Sequence, residues 1–139
     1  MVKAREIEGL DCGGDASHNI ALILRTRLEE MCELKEKALD WTDIEGVHDM
    51  RVASRRLRSV LRDFAPYFNA RKAPRKLLRD MARALGRVRD EDVAIVALKK
   101  LRHKTSDLVA AGIKEFIEER RRRRDAAREN LQLAINDEA

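Results

Sequence analysis

The amino-acid sequence predicts an all-α fold, an antiparallel bundle of four long helices, and three observations lead there. Lys, Leu, Glu, Ala and Arg, all strong helix formers, dominate the composition. Only two prolines occur, Pro66 and Pro74, close together where two helices would need a connection. Apolar residues recur every three or four positions, with no sustained alternation of the kind a half-buried strand requires. At 139 residues the chain has the length of one ordinary domain with a real core.

Residues 1–14 are polar and contain Gly9, Gly13 and Gly14, which predicts a poorly ordered lead-in to a single helical domain over 15–139. A first helix starts with Asp15 or Ser17 as N-cap and runs to about Leu39, with Ile20, Ile23, Leu24, Leu28, Met31 and Leu34 at core spacing. Glu29, Glu30, Glu33 and Glu36 take the remaining positions and are expected to face solvent. Trp41 to Gly46 form a connection in which Asp43 caps the next helix. That second helix ends near Ala65-Pro66. A loop over Tyr67 to Ala73 carries Asn69, Arg71 and Lys72, and Pro74 suits the first position of a third helix. Its stripe is Leu77, Leu78, Met81, Leu85 and Val88, and it is expected to reach Leu101, with Gly86 marking a break or a close backbone approach. A fourth helix follows from Ser106 to about Ile135 on the stripe Val109, Ile113, Phe116, Ala127, Leu131 and Ala134.

Charge is segregated along the chain. Residues 1–45 carry 6 basic and 11 acidic side chains, residues 46–89 carry 13 and 3, and residues 90–139 carry 11 and 11, so the middle third supplies the net charge of +5. A field of that kind favours polyanionic partners. Within it, His48, Arg51, Arg55, Arg58 and Arg62 fall three or four residues apart on one helix face, a cationic rail roughly 21 Å long. Met50, Ala53, Leu57, Leu61 and Phe64 take the opposite face. Like charges at this spacing each destabilise a helix by a few tenths of a kcal/mol, and an anion is the simplest compensation. The third helix repeats the division, with Lys72, Arg75, Lys76, Arg79, Arg83 and Arg87 opposite its apolar stripe. Arg120 and Arg124 lie along the seam of the fourth helix, where each must reach a carboxylate, water or a bound anion. Asp90 and Asp92 are candidates either to orient rail arginines across helices or to stand as solvated charge.

Catalysis finds no support: there is no Gly-rich phosphate loop and no HExxH, and no catalytic residue or cofactor is expected. Glu45-Gly46-Val47-His48 matches the Glu-x-x-His of di-iron bundles, but one copy beside five arginines is a poor cation site, so no metal is expected either. Cys12 and Cys32 lack metal-type spacing and suit a reducing compartment. No apolar run approaches a membrane span and no signal sequence opens the chain, which predicts a cytoplasmic protein with no membrane partner. Nucleic acid is a rival ligand through its phosphates, but aromatics are 4% of the chain, too few for a stacking platform. A histidine phosphotransfer or signalling role for His48 is the other rival, and it leaves the rail and its recurrence on the third helix unexplained.

The run Glu45 to Arg58, EGVHDMRVASRRLR, resembles the HxMRVxxRRLR signature of the CHAD family, the conserved-histidine α-helical domain. Leu85 to Val93, LGRVRDEDV, resembles its LGxVRDxDV segment, in the right order after the first. The resemblance implies binding of inorganic polyphosphate, with association with polyphosphate granules. It places phosphate contacts at His48, Arg51, Arg55, Arg56, Arg58 and Arg62 and at Arg89 of the second segment. Lys76, Arg79 and Arg83 follow by face on the third helix, and Arg120 and Arg124 join them from the fourth. Family members are typically two four-helix halves facing each other across a basic channel. The given chain has the length of one half, so either a homodimer is expected to rebuild the second or the sequence is a piece of a longer chain.

Overall fold

The computed structural model describes residues 2–68 and 72–136, the side chains of 72 and 73 excepted. It is helical, with α1 over Ala16–Cys32, α2 over Lys35–Leu39, α3 over Ile44–Asp63, a 3₁₀ turn over Ala65–Tyr67, α4 over Lys72–Arg102 and α5 over Asp107–Asn136. The expected loop residues Asn69 and Arg71 and the Lys72 side chain lie outside the described residues. The chain divides into two compact units, Met1–Ala82 and Arg83–Ala139, and α4 runs from the first into the second.

In the first unit, α1 and α2 pack on α3. Asp15 caps α1 by accepting from the Ser17 and His18 N–H groups, and Asp43 caps α3 by accepting from Glu45 N–H. The first helix does not continue to Leu39. It ends at Cys32, and a turn at Glu33-Leu34 sets off the short α2, which packs against α3. The close approach is possible because of Gly46 in the first turn of α3: a Cβ there would stand 2.0 Å from the Lys37 carbonyl oxygen. Ile20, Met31, Ala38, Val47, Met50, Val52, Ala53 and Leu57 form the core beneath α3, close to the predicted apolar face, whereas Leu28 is exposed.

The lead-in is extended but anchored, against expectation. Val2 N–H donates to Asp49 Oδ1 (3.1 Å), Arg5 N–H donates to Glu30 Oε1 (3.3 Å), and the Arg5 guanidinium pairs with Glu33. Two buried carboxylates need donors, and the segment supplies them. Glu30, expected to face solvent, is one of the two.

In the second unit the C-terminal part of α4 and α5 form a hairpin. Its apolar centre is Ile95, Ile113 and Ile117 with Leu98 beside them, and Leu85, Val88, Leu131 and Ile135 are also buried. The helix runs through Gly86 without a break. Val109 and Phe116, assigned to the core stripe by spacing, are exposed, and so is Leu77 of the first unit. Periodicity fixes which face of a helix is apolar but not how far along its length a partner covers it.

Candidate functional site

Helical spacing puts Arg58, Leu61, Arg62 and Ala65 on one flank of α3 and its following turn. Facing them in the same unit are Arg75, Lys76, Leu78 and Arg79 from the first turns of α4. Together they line a cleft of about 500 Å³. Leu61, Ala65 and Leu78 give it an aliphatic floor, and five cations stand around it. Among the described residues no hydrogen bond or ion pair engages the side chains of Arg58, Arg75 or Lys76. Arg62 pairs with its neighbour Asp63 (3.0 Å) and Arg79 approaches Asp80 (3.7 Å), both exposed. Exposed pairs of this kind are worth about 0–1 kcal/mol, so an incoming anion displaces them at little cost.

A smaller cleft of about 350 Å³ opens on the other flank of α3, lined by Arg55, Arg56, Ser59 and Val60 together with Arg27 of α1 and Ala4. Here the charge is partly committed. Glu30 is buried and accepts from both Arg27 (2.8 Å) and Arg56 (2.9 Å), while Arg56 also donates to the Val2 carbonyl (2.8 Å). Arg55 is exposed, with no partner among the described residues. Of the rail, Arg58 and Arg62 line the first cleft and Arg55 the second, while Arg56, which is not on the rail, leaves the helix in a different direction from Arg58 because a helix turns 100° per residue.

His48 and Arg51, at the start of α3, belong to neither cleft and are half-buried. Glu45, His48 and Asp49 bring one potential ligand atom each within 4.8 Å of one another. Asp49 is already committed, however, to Lys37 Nζ (2.9 Å) and the Val2 N–H. Burial pushes the Asp49 carboxyl up, but the Lys37 hydrogen bond, the Val2 N–H and the Lys37 charge outweigh it and hold the group below the usual carboxylate range.

The remaining predicted contacts lie in the second unit. Arg120 of α5 pairs with Glu91 of α4 (3.2 Å), and Arg124 and Arg128 approach the buried Asp92 at 3.9 and 3.8 Å. Among the described residues neither Asp92 oxygen has a hydrogen-bond partner. Burial raises Asp92 above the ordinary carboxylate range despite the opposing charges of Arg128, Arg124 and Arg89. Arg83 and Arg89 are also engaged within the protein. Asp92 therefore approaches arginines of α5, not the rail arginines expected of it.

The cleft thus assembles Arg58, Arg62, Lys76 and Arg79 from the expected set, and adds Arg75. Arg75 was visible on the basic side of its helix, one residue before Lys76. Arg27 and its carboxylate partner Glu30 left no such signal, since an i,i+3 pair on a surface helix reads the same way.

A family model described as CHAD domain matches residues 22–139. The chain belongs to the CHAD family. The match covers α1 from its second turn through α5, and with it both segments that carry the resemblance. No curated protein and no solved structure matches the chain. No helix among the described residues of this CHAD domain is long and apolar enough to cross a membrane.

Proposed function

We propose that this CHAD domain is a binding module, not an enzyme, and that it holds inorganic polyphosphate in the α3–α4 cleft. The observation that carries the proposal is the convergence of Arg58, Arg62, Arg75, Lys76 and Arg79 on one space that the protein's own carboxylates leave open. Four of the five are arginines, whose planar fork grips two phosphate oxygens at once. The aliphatic floor offers no base-stacking platform, which favours a base-free chain over RNA. Arg120 and Arg124, engaged with carboxylates of α4, drop out as ligands and hold the hairpin together. The cytoplasm, at polyphosphate granules, is where such a module would act.

Competition between long-chain polyphosphate and mixed-sequence RNA for the same protein tests the assignment. Polyphosphate is expected to displace RNA, and log affinity to fall with log salt at a slope near about −3.5 if each of the five cations neutralises one phosphate. Replacing Arg58 or Lys76 by Ala should make that slope shallower by about 0.7, whereas Arg122→Ala leaves it unchanged. Preference for RNA, or equal effects at all three positions, overturns the assignment.

A homodimer that sets two such clefts against one another completes the proposal. Sedimentation is expected to show a dimer at micromolar concentration, and a monomer whose polyphosphate affinity is unaffected by dilution refutes it.

A further inference from the structure

From the two clefts we infer that α3 separates two distinct phosphate subsites, and that one linear chain crosses the helix to occupy both instead of lying along it. The inference rests on the polyphosphate reading of the first cleft and extends it. The flanks share no residue: Arg58 and Arg62 turn toward α4, while Arg56 and Ser59 turn toward Arg27 of α1. The second cleft is a built feature. Glu30 is 6% exposed and fixes two guanidinium groups at 2.8 and 2.9 Å, each of which retains further N–H donors. Three arginines against one carboxylate leave the cleft with two positive charges in excess.

Arg55 stands on the crest between the flanks at helical spacing from both Arg58 and Arg62, so positive charge continues from one cleft to the other. The width to be crossed is that of a helix with its side chains, about 10 Å. A short phosphate chain fits one subsite. A chain long enough to cross gains the second at a high effective concentration, so affinity steps upward at a threshold length.

Isothermal titration of the full chain with tripolyphosphate and with long-chain polyphosphate tests this. Tripolyphosphate is expected to bind at two sites per chain, one lost in Arg75→Ala/Lys76→Ala and the other in Arg55→Ala/Ser59→Glu. Arg55→Glu alone, at an exposed position, replaces the second variant if Ser59→Glu unfolds the protein. Long-chain polyphosphate should bind more weakly by on the order of 10²-fold in either variant. A single tripolyphosphate site removed only by Arg75→Ala/Lys76→Ala, with long-chain affinity intact in the Arg55 variants, overturns the two-subsite arrangement and leaves the first cleft standing. Two tripolyphosphate sites without any gain for the long chain refute the crossing. Failure of the unaltered protein to bind either polyphosphate overturns both this inference and the function on which it rests.

Discussion

The same substitution, Gly to Ala, should have opposite signs at two helical positions of this protein. At Gly46 the new Cβ would meet the Lys37 carbonyl oxygen at 2.0 Å and its carbon at 2.6 Å, both backbone atoms. Ordinary contact begins about 1.5 Å further out, so α2 must retreat from α3. Ala38 on that turn is fully buried, which makes the retreat a loss of packing. Overpacking of this kind costs about 1–3 kcal/mol, against a gain of up to about 1 kcal/mol from the better helix former. The expected net is a loss of about 1–2 kcal/mol. At Gly112, in α5, nothing lies within 4 Å of the added atom, and only the propensity gain of up to about 1 kcal/mol remains. Urea unfolding at neutral pH reads both, with midpoints moving down for Gly46→Ala and up for Gly112→Ala at unchanged slope. Arg58 is 12 residues from Gly46, roughly 18 Å along α3, so polyphosphate affinity of the folded Gly46→Ala protein should match the original. A Gly46→Ala protein at least as stable as the original would refute the close approach of α2 to α3.

Three further substitutions test the buried charges. Glu30→Gln removes the carboxylate that holds Arg27 and Arg56, both largely buried, and should destabilise the protein by about 3 kcal/mol in urea unfolding. It should also strengthen tripolyphosphate binding at the α1–α3 cleft, measured by titration of the folded protein. Asp49 is held below the usual carboxylate range, so its contribution is present above pH 4 and is lost as pH falls through its lowered value. Lys37→Met should therefore shift acid unfolding, followed by circular dichroism, to higher pH. For Asp92 the sign is reversed. Its raised value means that stability is fully present below about pH 4 and declines as the group ionises on the way up. Asp92→Asn should abolish that decline, and a difference curve between the two proteins that stays flat from pH 3 to neutrality would contradict the burial of the charge.

The helices were legible because their signals are local. Asp15 and Asp43 cap where their side chains reach the next turn, and the stripe Met81, Leu85, Val88 is buried as spacing requires. What sequence could not supply was the partner of each charge. Arg56 and Arg58 stand two residues apart in one basic run, yet a buried glutamate from α1 holds the first while the second faces an open cleft. Arg124 likewise finds Asp92 across the hairpin, 32 residues away. An arginine is available to a ligand only where no carboxylate of a neighbouring helix falls at the height its side chain reaches, and that height is set by how the helices pack. Composition located a basic field in the middle third, while the division of its cations into those paired with carboxylates and those left unpaired waited on packing. The glutamate that reads as one more solvated charge on α1 is the clearest instance. By occupying Arg27 and Arg56 it fixes the walls of one cleft and, by leaving Arg58 and Arg62 alone, it gives the other cleft the greater unopposed charge.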